Sequence, residues 1–543
     1  MTPRIKKLRQ YLLDGKHREH QHEVDWKSLL PRRRRPSRCT LAADCIQTAL
    51  QEEARTPVFL PDERIAGTRC CANSLLSYVE EIRGKLRKEA YFNALGVPTF
   101  SEVLHEGLDV RRSEALARKK RAFAENDAET VDFLNAVIRD IDAILRFADA
   151  YRAAAESAGL TELAELLTQV PHKPARTFHE ALQFLRILYF ALCSKGTYHN
   201  GVGRFDQYLW PYLQHDLKAK TLTKRAALEL LEEFLLTFLR DGDEMVLTLG
   251  GLTPDGSDAE NPLTELCQKA VEELQLETLR CQLRGRNPQM PYQTDEAVIS
   301  ALEYFGYEPE DARNYTLTPD GEILVPGREM DLPNIARFSF TALLRDVLAS
   351  PEAQVTDSFT SLLHVLRTAF FATADHIAAS LDCVEVLPCP LISMLSGQIA
   401  SGRDLGVRGK YHNFGIRGTD FLEMVNTLQL VSQVVFTQKL LTLEDFANRL
   451  TSGTLESFLN SQSTGTTCTE GQTTRLTDLD ARNPAMDALA IQILQDFADS
   501  WKNRTNCHGG LFRPSLREST LQAREYLTEI LPTDSPLRYL TVF

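Results

Sequence analysis

Asp311-Ala312-Arg313-Asn314-Tyr315-Thr316-Leu317-Thr318-Pro319-Asp320-Gly321-Glu322, closely followed by Val325-Pro326-Gly327-Arg328, decides how this chain is read. The stretch begins polar, passes through a Tyr-Thr-Leu-Thr run of strand-forming residues, and ends in Pro-Asp-Gly. Proline fixes φ and Asp-Gly readily takes positive φ, so Pro319-Asp320-Gly321 predicts a tight loop. The loop carries Asp320 and Glu322 two positions apart, a spacing that can aim both carboxylates at one small volume. Held close, they would repel if both were ionised, so one should bind its proton more tightly and the other less. A pair with separated pKa values suits general acid and general base work.

Working outward, several further stretches combine local signals. Pro174-Ala175-Arg176-Thr177-Phe178-His179-Glu180 predicts a helix start, with Thr177 as N-cap and Glu180 three positions on. Gly203-Arg204-Phe205-Asp206-Gln207-Tyr208-Leu209 predicts a strand-end ion pair between Arg204 and Asp206, with Tyr208-Leu209-Trp210 in the core. Gly250-Gly251-Leu252-Thr253-Pro254-Asp255-Gly256-Ser257-Asp258 lacks the register of a calcium loop and the Gly-Lys of a phosphate loop, so it predicts a turn before a helix. Pro57 to Gly67 predicts a short strand and turn, and the charged, alanine-rich segment from Ser113 to Ala158 predicts long surface helices. Further on come Tyr411-His412-Asn413-Phe414-Gly415, a helix capped by Thr442, and Gly509-Gly510-Leu511-Phe512-Arg513-Pro514.

Taken together, these motifs resemble the glycyl radical enzymes, the superfamily of pyruvate formate-lyase and of the diol and choline lyases. The central stretch is similar to their finger loop, which reads Ala-Arg-Asp-Tyr, three residues, Gly-Cys-x-Glu and then Pro-Gly-Lys. Glu322 matches the glutamate and Pro326-Gly327 the Pro-Gly, while Asp320 stands at the cysteine and Pro319 at the glycine before it. The resemblance implies a ten-stranded α/β barrel of two half-barrels, surrounded by helices, with the finger loop at its centre. Residues 1–170 would form a helical region packed on the barrel, residues 171–514 the barrel with its finger at 312–328, and residues 515–543 a short divergent tail. The relatives continue into a glycine-rich segment and a final radical loop that residues 515–543 do not resemble, so abbreviation of the barrel is expected there. A connecting segment between Arg284 and Pro291 also looks shortened.

The radical relay needs a thiol that can lose a hydrogen atom, and a carboxylate at position 320 cannot supply one. The resemblance therefore implies a kept scaffold with changed chemistry. One expectation is an oxygen-tolerant lyase or dehydratase that acts on a small polar metabolite through Asp320 and Glu322. His199, Arg204, Arg313 and His412 are the candidates for binding substrate or moving protons, with Arg328 beside them. The alternatives are a catalytically silent homologue that binds a metabolite or a partner, and a radical enzyme completed by a separate glycyl radical subunit. No cofactor is predicted; Asp320, Glu322 and a histidine could chemically hold a metal, but no ligand spacing demands one.

Composition agrees with a folded enzyme-sized chain. The 543 residues are 43% apolar and 25% charged, and large α/β barrels are exceptions to the domain count that length would suggest. A net charge of −13 argues against general nucleic-acid affinity, and the basic run from Pro31 to Arg38 predicts a solvated surface segment. No apolar run reaches the ~18 residues of a membrane helix, and the amino terminus shows no apolar signal core, which predicts a cytoplasmic protein. The 11 cysteines are scattered and never in a CxxC pair, so reduced thiols are expected. Family barrels are commonly homodimers, which is the expectation here.

Overall fold

The computed structural model describes residues 1–29, 31, 36–72, 91–92, 95–194, 201–284, 294–319, 321–463, 484–517, 526–527, 529–531 and 535–542. Asp320, His199 and the arginine run 32–35 lie outside these described residues. The chain divides into two compact units, residues 1–331 with 384–412 and residues 332–383 with 413–543. Among the described residues no helix is long and apolar enough to cross a membrane.

The first unit is largely helical in its amino-terminal part. The alanine-rich stretch forms the helices Leu108–Ala124 and Ala128–Ser157, the second capped by the Asp127 carboxylate accepting from the Thr130 N–H at 3.1 Å. Phe133, Val137, Ile141, Ile144, Ala148 and Tyr151 recur at helical spacing and are all buried, so this helix is half core rather than a surface helix. Its Phe147 stacks on Phe190 at 4.9 Å. Phe190 belongs to the helix Phe178–Ser194, which is buried nearly all round, as its apolar circumference requires. Thr177 caps that helix through the Glu180 N–H at 3.2 Å, and Glu180 turns back to the Arg176 N–H at 2.6 Å.

No strand forms between Pro57 and Gly67. The backbone there is satisfied by side chains instead: Ile65 N–H donates to Glu233 at 2.8 Å and Ala66 N–H to Gln183 at 2.8 Å. A buried backbone needs partners but not a neighbouring strand, which is why the local β signal was insufficient.

Strand β1 (Tyr91–Phe92) pairs in parallel with β7 (Glu385–Val386). Strand β2 (Met245–Leu249) is buried at every position, as a parallel strand covered on both faces should be. It pairs in parallel with β3 (Leu279–Leu283), and the crossover contains the helix Pro262–Leu274. Asn261 starts that helix with a reciprocal capping box, accepting from Leu263 and Thr264 N–H while Thr264 Oγ1 accepts the Asn261 N–H. The glycine-rich loop before it is a turn, as expected, closed by Thr253 and Ser257.

The second unit holds a parallel sheet in the order β6 (Leu332–Ser339), β8 (Phe414–Thr419), β9 (Phe512–Leu516). Phe338 stacks on Phe370 at 5.4 Å, and Phe340, Phe421 and Phe497 complete an aromatic core. Pro333 cannot donate to a ladder, and the β6–β8 register shifts between Leu332 and Ala336. That shift presses the Pro333 carbonyl onto Gly415, where a Cβ would lie 1.8 Å from the carbonyl oxygen. Gly415→Ala should therefore cost more than about 3 kcal/mol, because the clash is with backbone that no rotamer change relieves. An unchanged denaturation midpoint for this variant would show the β6–β8 pairing to be wrong.

Candidate active site at the finger hairpin

Strand β4 (Thr316–Leu317) pairs antiparallel with β5 (Ile323–Leu324), Thr316 opposite Leu324 and Leu317 opposite Ile323. Gly321 N–H donates to the Thr318 carbonyl at 2.9 Å, and Thr318 N–H donates to the Glu322 carbonyl at 2.9 Å. Gly321 has φ +84°, a left-handed conformation that glycine takes without strain as the chain turns back towards β5. The Glu322 carboxylate accepts the Thr318 hydroxyl, and Glu322 N–H donates to the same hydroxyl oxygen at 3.2 Å. The strands are buried while Glu322 is half-buried, so the loop end is the part of the hairpin that meets its surroundings.

Strand β2 and its neighbour fix the hairpin from the side. Leu317 N–H and the Thr316 hydroxyl both meet Thr248 Oγ1 at 3.0 Å, and the Arg280 guanidinium donates to the Pro319 carbonyl at 3.0 Å. The incoming chain is held by a buried aromatic and ionic cluster. Arg284 lies over the Tyr315 ring, 3.9 Å from its centroid, and donates to Asp295 at 2.9 Å and to the Arg313 carbonyl at 2.7 Å. Tyr315 donates its hydroxyl to the same Asp295 oxygen at 2.9 Å, and burial raises its pKa despite the nearby guanidinium.

Two carboxylates anchor the outer ends of the motif. Asp311 accepts from Arg328 at 3.0 Å, Lys410 at 2.6 Å and Tyr411 at 2.7 Å. Burial disfavours its charged form, yet these three donors outweigh burial and hold its carboxyl below the usual carboxylate range. Glu329 is 1% exposed; it accepts the Val325 N–H at 2.7 Å and the Tyr307 hydroxyl. Tyr307 in turn stacks on Tyr411 at 3.9 Å, which joins the two anchors. Glu329→Ala should cost about 2–4 kcal/mol by stranding a buried amide and a buried hydroxyl. Glu329→Gln should keep most of that stability, and equal denaturation midpoints for the two variants would rule out the hydrogen-bonding role.

The residues expected to form the site do not all converge. Arg204 is spent on backbone: its guanidinium donates to the carbonyls of Gly250 at 2.5 Å, Leu252 at 2.6 Å and Arg313 at 3.4 Å. Burial, then the neighbouring Arg284, lowers its pKa to about 10. The expected Arg204–Asp206 ion pair is not the arrangement found, because Asp206 instead accepts the Gly250 N–H at 2.9 Å and the Thr264 hydroxyl at 2.6 Å. Arg313 donates to the Pro254 carbonyl at 3.1 Å, and Arg328 pairs with Asp311. His412 is half-buried beside Gly409 in the segment 384–412. Sequence reasoning missed Arg284, Asp295, Tyr307 and Glu329. The one signal for Glu329 was its place directly after Pro326-Gly327-Arg328. Among the described residues no group of three or more His, Cys, Asp or Glu side chains could hold a metal.

The family model described as "Pyruvate formate lyase-like" matches residues 87–289, somewhat more than a third of the chain. Isethionate sulfite-lyase of Nitratidesulfovibrio vulgaris is 28% identical over 303 residues, which cover 46% of this chain and 36% of that protein. The chain is homologous to the glycyl radical enzymes. A second relative, (2S)-3-sulfopropanediol dehydratase of Klebsiella oxytoca, is 25% identical over 376 residues, 57% of this chain and 45% of the relative. The chain thus spans about a third to a half of the length of these relatives. A solved glycyl radical enzyme from Archaeoglobus fulgidus superposes with a TM-score of 0.76 at 17% identity, covering 94% of this chain and 81% of that one. The fold is the glycyl radical enzyme barrel, and the homologues are lyases and dehydratases of small polar metabolites.

Proposed function

We propose that the protein is a lyase or dehydratase for a small polar metabolite, working by acid/base chemistry rather than through a thiyl radical. The observation that carries this is the hairpin loop itself. It keeps the turn, the glutamate and the Pro-Gly of the finger loop, while an aspartate stands where a thiol would have to lose a hydrogen atom. Asp320 and Glu322 would divide the work, one carboxyl delivering a proton to the leaving group and one carboxylate removing a proton from carbon.

The test is to purify the protein in air and incubate it with a pool of small hydroxy acids, amino acids, diols and sulfonates, following substrate loss by mass spectrometry. Turnover in air supports the acid/base reading. Turnover only without oxygen, and only with an added glycyl radical subunit, would favour a radical enzyme completed in trans. One observation favours a silent homologue: both terminal nitrogens of Arg204, an expected substrate anchor, donate to backbone carbonyls. Saturable metabolite binding without turnover in either atmosphere would favour that second reading.

A further inference from the structure

We propose that the second half of the helix Leu108–Ala124 is a docking face for an anionic lipid surface. This inference is independent of the proposed catalytic function. From Ala115 to Ala124 the chain reads Ala-Leu-Ala-Arg-Lys-Lys-Arg-Ala-Phe-Ala, four cations and no acid, in a protein whose net charge is −13. Ala115 and Ala122 are buried, and the remaining sides of these turns face outward. There Phe123 is 75% exposed and Leu116 40% exposed, with Ala117, Lys120, Arg121 and Ala124 exposed beside them.

Leu116 and Phe123 are seven residues apart, so they lie on one line along the helix, about 10 Å from each other. Lys119 and Lys120 fall between them, one on each side of that line. Neither these lysines nor Arg121 has an ion-pair partner among the described residues. The other charges nearby are matched. Arg118 donates to the Ala400 carbonyl at 3.2 Å and faces Glu125 at 3.6 Å, and Arg403 takes Asp127 at 3.2 Å. Three unpaired cations around two exposed apolar side chains complement a surface that is anionic at its face and apolar just beneath. Arg112 pairs with Asp142 at 2.6 Å and ties the helix to Ala128–Ser157, so the face is presented without folding on binding.

The spacing favours lipid over a peptide partner. A helix that docks in a groove offers apolar side chains at i, i+3, i+4 and i+7, and here the i+3 and i+4 positions are the two lysines. Two apolar points seven residues apart make a sparse seam for a protein, whereas acyl chains need no register. Lysine stems can lie along an apolar boundary while their ammonium groups stay among the headgroups. The net charge of −13 does not prevent this, because at physiological salt screening confines each exposed charge to about 8 Å. Phe123 and Leu116 enter the acyl boundary, and the three cations meet the lipid phosphates and carboxylates.

The full chain should be sedimented with vesicles of phosphatidylcholine alone and with vesicles of phosphatidylcholine and phosphatidylserine in equal parts, each at low and high salt. Binding to the anionic vesicles only, weakened by salt, is expected. Lys119→Gln with Lys120→Gln should lower the partition coefficient about 25-fold, roughly five-fold for each cation removed. Phe123→Ser should lower it about tenfold. Val355→Ser, at an 83% exposed apolar position in the other unit, should leave it unchanged. All these variants should keep the parent Tm, since none of the positions is buried. No binding to anionic vesicles, equal binding to neutral ones, or binding that survives the lysine and phenylalanine substitutions would each overturn the proposal. Binding to poly-L-glutamate in place of vesicles, lost in the same variants, would overturn it in favour of an acidic protein partner.

Discussion

Asp320→Asn and Glu322→Gln are each expected to lower turnover in air by about 10²- to 10⁴-fold, the contribution of one positioned proton-transfer group. Both changes are close to isosteric, so the hairpin should survive them. Its closure depends on backbone bonds from Gly321 to Thr318 and from Thr318 to Glu322, and the Thr318 hydroxyl can donate to an amide oxygen as it does to a carboxylate. The two losses should be far from additive, because removing either partner disables the same acid/base cycle. Asp320→Cys restores the thiol of the relatives but removes one of the two carboxyl groups, and it should be as inactive as Asp320→Asn under aerobic conditions. The pH profile separates roles: loss of the base should flatten the acidic limb of kcat/KM, and loss of the acid the basic limb. Activity comparable to the parent in either isosteric variant would end the two-carboxylate mechanism.

A large stability effect is also expected at Arg284, which is buried against the Tyr315 ring. Arg284→Met should cost about 3 kcal/mol, the lower end for breaking a buried ion pair, because Asp295 keeps some contact with solvent. Three losses coincide there: the cation over Tyr315, the partner of Asp295, and the donor to the Arg313 carbonyl. Tyr315→Phe, which removes only the hydroxyl bond to Asp295, should cost about 1.5 kcal/mol. Urea denaturation midpoints test the order. A Tyr315→Phe variant less stable than Arg284→Met would mean that ring packing, not the ion pair, holds the incoming chain of the hairpin.

The features legible in the sequence are those whose partners lie within a few residues. Pro319 and Gly321 specify the hairpin turn because proline restricts φ and glycine takes the left-handed conformation without strain. Thr177 and Thr442 cap their helices because a cap oxygen accepts from an N–H only three positions on. The quoted motifs likewise carried the homology and, through it, the fold. What the tertiary structure alone decided is how the long charged side chains are used. Arg204 had the spacing of an ion pair with Asp206, but carbonyls some 46 to 109 positions away claimed it. Asp311 joins Tyr411 across 100 positions, and the hairpin docks on Thr248 across 69. A buried guanidinium or carboxylate must find partners wherever the fold brings them, since leaving it unpaired costs several kcal/mol, and no local pattern in the chain records which ones arrive.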